Sequence, residues 1–114
     1  MVDQQAPLDV IFRALADPTR RAMLESLRAG ERSIMELAEP FEMTLAGAAK
    51  HVQVLDRAKL ILRRKEGRTQ YCRLNQVALL RAHQWLDQYA QFWNSRLDTL
   101  QNLLEAERDQ ENHE

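Results

Sequence analysis

Lys50, His51 and Gln53 stand within four positions of one another, on a stretch that also carries Ala46, Gly47 and Ala49, and Arg63, Arg64, Lys65 and Arg68 follow shortly after. Amide, imidazole and ammonium groups hydrogen-bond the edges of bases, while guanidinium groups suit phosphate oxygens and narrow minor grooves. Small side chains beside the polar ones let a backbone come close to what it reads. Gln53 suits adenine, Lys50 suits guanine or phosphate, and His51 suits either class. Thr44 and Gln70 flank the two clusters and complete the candidate set. Gly47, three residues past Thr44, costs a helix roughly 1 kcal/mol against alanine, which invites a close-approach explanation. A helix with three polar residues is equally an ordinary solvated face. The basic turn directly behind it is what makes the combination specific.

The charge balance agrees. The chain of 114 residues has a net charge of -1, but residues 1–73 hold 13 Lys/Arg against 10 Asp/Glu, and residues 74–114 hold 3 against 7. Between Arg57 and Arg73 there are seven basic residues and one acid. A local field of that sign suits a polyanion even in a near-neutral protein.

These side chains need elements to hold them, and the pattern supplies those. Leu8, Ile11, Phe12 and Leu15 recur at helical spacing, so the sequence predicts a helix over 8–16. Asp17 and Pro18 suit the N-cap and first position of a second helix, with Ala22, Met23, Leu24 and Leu27 inward and a stop near Gly30. Ser33 and Glu36 have the spacing of a capping box, and the helix they start must end by about Glu39 because of Pro40. Thr44 caps a fourth helix to Arg57, with Leu45, Ala48, Val52 and Leu55 as its inward stripe. Residues 60–65 and 69–74 are apolar and basic runs joined through Glu66, Gly67 and Arg68, a hairpin signal, with Ile61, Leu62, Tyr71 and Leu74 set to pack it on the helices. A last helix runs from about Asn75 to Arg108, followed by a polar, frayed tail over 109–114. The fold class is therefore mainly α with a small β-hairpin, in the order α-α-α-α-β-β-α. It is expected as a single domain over 1–114, with a core at 8–75 and a long helix at 76–108.

The runs LADPTRRAMLESL and SIMELAEPFEMTLAGAAKHVQVLDRAKLILRRKEGRTQYCRL resemble the ArsR-type (arsenic-repressor-like) winged-helix transcription factors. The Asp17-Pro18-Thr19-Arg20 junction, the Lys50-His51 pair before Val54-Leu55, and the arginine-rich wing carry the likeness, which covers residues 8–75 well and the last helix more loosely. It implies a five-helix winged helix-turn-helix and a dimeric bacterial repressor that releases its operator in double-stranded DNA on receiving a signal; the two-fold symmetry of such a dimer asks for an inverted-repeat site. By that likeness helix 44–57 reads the major groove, and helices 8–16 and 76–108 form the dimer interface. The stretch from Glu39 to His51 is especially similar to a subgroup without known metal boxes, some of whose members repress their own genes.

Other chemistries fit less well. The helix from Ser33 to Ala38 lacks the Cys-x-Cys pair of metal-sensing relatives, and His83 with Asp87 and the tail His113 would supply only a thin ligand set across a dimer. A zinc-responsive repressor is thus an alternative, as is a winged helix used for protein interaction, but the latter needs no basic wing. No cofactor is expected. Cys72 is single, so there is no internal disulfide, and burial suits it better than redox sensing. The scattered histidines and the lack of a phosphate loop argue against an enzyme. No apolar run approaches the roughly 20 residues that a membrane span needs, and no secretory signal is visible, which makes the cytoplasm the expected location. The effector, if there is one, is left open.

Leu86, Tyr89, Trp93, Leu97, Leu100 and Leu104 continue a stripe from Ala82 down the last helix. A core of residues 8–75 is too small to cover it, so a homodimer is expected, helped by Leu8, Ile11 and Phe12. Trp85, Tyr89, Phe92 and Trp93 form an aromatic belt on the same helix. A small-molecule pocket between subunits or a dimer core could use it, and aromatics at helical spacing normally pack.

Overall fold

The computed structural model describes residues 6–111. Helices α1 (Leu8–Leu15) and α2 (Pro18–Ser26) are followed by a short strand β1 (Arg32–Ser33), helix α3 (Ile34–Ala38) and helix α4 (Leu45–Arg57). The hairpin strands β2 (Ile61–Glu66) and β3 (Thr69–Leu74) come next, then the long helix α5 (Gln76–Glu111). Single 3₁₀ turns, Leu27–Ala29 and Glu39–Phe41, close α2 and α3.

The helix boundaries are set by side chains that occupy the first unpaired N–H groups. Asp17 accepts from Arg20 N at 3.0 Å, with Pro18 at the first helical position. Ser33 and Glu36 make the reciprocal box, Glu36 N to Ser33 Oγ at 3.1 Å and Ser33 N to Glu36 Oε1 at 3.0 Å. Thr44 Oγ1 accepts from Gly47 N at 3.0 Å. The far end of α4 is a Schellman closure: Leu60 N bonds Leu55 O and Lys59 N bonds Asp56 O, both at 3.0 Å. It places Lys59 in the left-handed region at φ 59, where glycine is the usual residue. Asn75 then ties the next crossing, its N–H to Leu60 O and its Nδ2 to Lys59 O, each at 2.9 Å.

The sheet has three strands in the order β1-β3-β2, all antiparallel. The hairpin alone was expected from sequence. Strand β1 pairs Arg32 with Cys72 and Ser33 with Tyr71, and two residues are too few to show a period. The register Glu66↔Thr69 leaves a two-residue turn, Gly67-Arg68, with Gly67 at φ 62 as a II′-type connection requires.

The core gathers Ile11, Met23, Leu37, Val52, Leu55, Leu60, Ile61 and Cys72, all fully buried. Two apolar residues expected inside are not. Leu62 is exposed because the pleat turns it opposite to Ile61. Leu45 is 56% exposed, leaving Ala48, Val52 and Leu55 as the docking face of α4. Tyr71 and Leu74 are half-buried.

Two compact units divide within α5, one through Ala82 and one from His83 onward. The sequence pattern sets the core at 8–75 within a single domain. Ala78 and Ala82 are buried with the core, so the first turns of α5 belong to the first unit. Arg81 Nη1 also donates to Ala6 O there. In the second unit α5 runs helical to Glu111, through residues 109–111; residues 112–114, the rest of the expected polar tail, lie outside the described residues.

Candidate nucleic-acid interface

With its docking face at Ala48, Val52 and Leu55, α4 presents Ala46, Ala49, Lys50, Gln53 and Arg57 to solvent, all exposed. That is the division of labour a groove-entering helix needs, one face apolar and the other small and polar. Gly47 is explained inside the chain: a Cβ there would lie 3.3 Å from Thr44 Oγ1, the atom that caps the helix.

His51 is held differently from Lys50 and Gln53. Its ring is half-buried, with Nδ1 3.4 Å from Arg20 Nη1 and 4.0 Å from Asp17 Oδ2. Arg20 in turn donates from Nε to Ala14 O at 2.8 Å and from Nη2 to Arg13 O at 3.0 Å. One guanidinium therefore closes the C-terminal end of α1 and meets α4 at His51. The Arg20 N–H bond, opposed in part by burial and helped by the Arg20 charge, holds the Asp17 carboxyl below its ordinary range. The Asp17-Pro18-Thr19-Arg20 junction is thus a hub joining α1, α2 and α4.

The wing's cations fall into two groups. Arg64 donates from Nε to both Glu31 oxygens at 3.0 Å, from Nη2 to Glu31 Oε1 at 2.5 Å and from Nη1 to Glu66 Oε2 at 2.9 Å. Its Cζ also lies 4.5 Å from the centre of the Tyr71 ring. Hydrogen bonds to Glu31 and then Glu66 raise the Arg64 pKa, and the Arg64 bond lowers that of Glu31. Arg63 sits 3.6 Å from Asp56 on α4 and donates to Gln70 Oε1, so it braces the wing against the helix. Among the described residues, Lys65 and Arg68 have no carboxylate partner, and both are exposed at the wing's end. The sequence places Arg64 among the free phosphate-holding groups; its donors are instead occupied by Glu66, two residues along the strand, and by Glu31, distant in sequence.

Residues 15–64 match the family described as a helix-turn-helix domain. The HTH-type transcriptional regulator Rv2034 of Mycobacterium tuberculosis is 32% identical over 101 residues, covering 89% of this chain and 92% of that one. The transcriptional repressor SdpR of Bacillus subtilis is 30% identical over 76 residues, covering 67% and 84%. Among solved structures, the ArsR family transcriptional regulator RHA00566 superposes with a TM-score of 0.72 at 39% identity, covering 77% of this chain and 91% of that one.

The chain belongs to the ArsR family of transcriptional regulators.

A second structure, the homodimeric winged helix-turn-helix DNA-binding domain of Mb0332 from Mycobacterium bovis, matches with a TM-score of 0.59 at 30% identity, covering 75% and 81%. In the present ArsR-family chain, Leu86, Tyr89, Trp93, Leu97, Leu100 and Leu104 are each half or more exposed along α5. Trp85 packs on Tyr89 with centroids 4.8 Å apart, and Phe92 meets Trp93 edge-on at 5.8 Å. In the first unit Leu8 and Phe12 are half-buried, but Ile11 is fully buried in the chain's own core and has no surface to offer a partner. Among the described residues no group of three or more His, Cys, Asp or Glu is placed to hold a metal. His83 and Asp87 stand on α5 without a third such residue, and His113 lies outside the described residues. Cys72 is buried, and burial pushes its thiol pKa up. No helix among the described residues is long and apolar enough to cross a membrane.

Proposed function

We propose that this chain is a homodimeric, cytoplasmic repressor that binds an inverted-repeat operator, reading bases with α4 and holding phosphate with the wing. The observation that carries this is the exposed, polar outer face of α4 beside a wing whose Lys65 and Arg68 are not neutralised within the chain. Lys50 and Gln53 read base edges. Thr44, Ala46 and Gly47 let the start of the helix approach the groove. His51 is a positioning residue first, held by Arg20 and Asp17, and reaches DNA only with the ring edge left exposed. Arg63, Arg64 and Gln70 keep the wing in shape so that Lys65 and Arg68 reach the backbone.

The apolar stripe from Leu86 to Leu104 pairs with the same stripe of a second copy. A two-fold axis covers it and sets two recognition helices about 34 Å apart, one turn of DNA. Support comes from the homodimeric state of the Mb0332 domain and from the repressor role of SdpR. No catalytic role is proposed.

The test is Gln53→Ala against a selected duplex and its single-base variants. Preference should relax at one base pair per half-site by roughly 1–3 kcal/mol, with other positions unchanged. An unaltered preference at every position would remove Gln53 from the reading set.

A further inference from the structure

We propose that Leu45, with Ala46 and Ala49, reads the 5-methyl group of a pyrimidine in the major groove, so that each half-site requires a methyl-bearing pyrimidine opposite the start of α4. This rests on the DNA-reading role of α4 proposed above. Leu45 is the first residue of α4 and is 56% exposed, although its type and its place in the helical period favour the core. It makes a ridge between two shallow grooves, one shared with Glu42 and Met43 and one with Ala49, Arg68 and Thr69 of the wing. Met35 of α3, 71% exposed, lines both grooves beside it. Apolar surface therefore runs from Met35 of α3 to Leu45 and Ala49 of α4, between Glu36, Glu39 and Glu42 on one side and the cationic end of the wing on the other.

The chemistry of this turn is one-sided. Thr44 Oγ1 accepts from Gly47 N and keeps only its O–H to donate, at the edge of the turn, while Leu45, Ala46, Gly47 and Ala49 offer no side-chain donor or acceptor. Lys50 is the first exposed side chain past Thr44 on α4 that carries one. In helix-turn-helix proteins the N-terminal residues of the recognition helix lie nearest the base edges. Base edges that present only donors and acceptors would be desolvated without compensation against such a surface. The apolar group that the major groove does offer is the C5-methyl of thymine, and apolar side chains contact it. The same chemistry is carried by 5-methylcytosine. An exposed leucine at this position is thus matched to a methyl group, and Lys50 and Gln53 read the hydrogen-bonding pattern further along.

The experiment begins with duplexes that the full chain selects from a random-sequence library. Each thymine of the selected site is replaced in turn by deoxyuridine, which removes only the methyl. For the parent, one or two positions per half-site should weaken binding about fourfold, the equivalent of one buried methyl group. Leu45→Ala should bind thymine and deoxyuridine duplexes alike at those positions. Leu45→Met, which keeps an apolar side chain, should retain the discrimination. Where the preferred base is cytosine instead, adding its 5-methyl should strengthen parent binding and not that of Leu45→Ala. A selected site with no methyl-sensitive position, or equal sensitivity in parent and Leu45→Ala, overturns this inference and leaves the DNA-reading role of α4 standing. Failure to select any duplex overturns both.

Discussion

The division of the wing's cations predicts which of them sets the salt dependence of DNA binding. Lys65 and Arg68 are exposed and unpaired among the described residues, whereas all three nitrogens of the Arg64 guanidinium point at Glu31 or Glu66. Each phosphate neutralised by a free cation steepens the slope of log K against log salt by about 0.9. Lys65→Ala and Arg68→Ala should each flatten it by about that amount, and the double variant by about 1.8. Over a rise from about 50 to about 200 mM salt, one contact accounts for about a 3.5-fold loss of affinity, so the double variant should lose about twelvefold less than the parent. Arg64→Ala should leave the slope within about 0.3 of the parent, since the guanidinium spends its donors within the protein. Its cost should appear in wing stability, through the uncompensated Glu31 and Glu66. Fluorescence anisotropy of one labelled duplex across a salt series measures all four proteins. A flattening of about one unit in Arg64→Ala, with Lys65→Ala and Arg68→Ala parallel to the parent, would refute the assignment.

Thr44→Ala removes the cap of α4 and should cost about 1 kcal/mol in chemical denaturation; no change in the midpoint would mean that the Gly47 N–H finds another acceptor. Lys59→Gly should stabilise the fold by about 0.5–1 kcal/mol, because the left-handed conformation at φ 59 suits glycine; a destabilised variant would show that the lysine stem contributes more than the backbone relief. Asp17 and Glu36 are held below their ordinary pKa of 3.8 and 4.5 by hydrogen bonds to backbone N–H groups, so the unfolded chain binds more protons as pH falls. Their contribution is complete above the ordinary values and is lost as pH falls through the lowered ones. Asp17→Asn with Glu36→Gln should therefore flatten the acid side of the stability profile, and identical profiles would contradict this.

The order of elements was legible because the three middle helices carry their own start signals: Asp17 before Pro18, Ser33 with Glu36, and Thr44. The hairpin was legible from Gly67 between two β-prone runs. What the sequence hid depends on partners distant along the chain. Arg64 reads as one more free cation until the fold brings Glu31 beside it, and His51 reads as solvent-facing until Arg20 meets it across 31 positions. Strand β1 exists because β3 has an open edge for Arg32 and Ser33, not because of any local pattern. Leu45 follows the apolar period of α4, yet it lies one turn before Ala48 reaches the core. Ile11 shows the same limit in reverse, since apolar spacing cannot tell a residue's own core from a partner's.

Hydroxyl-radical footprinting on a duplex selected by the protein shows whether two copies bind it as a symmetric dimer. A homodimer joined through the Leu86–Leu104 stripe should protect two equal patches, related by a two-fold axis and centred about 34 Å apart, one turn of the duplex. Leu97→Glu, which puts a charge into the middle of that stripe, should abolish both patches together while the first unit stays folded. A single unsymmetrical patch, or two patches that persist in Leu97→Glu, would exclude a dimer joined through this stripe.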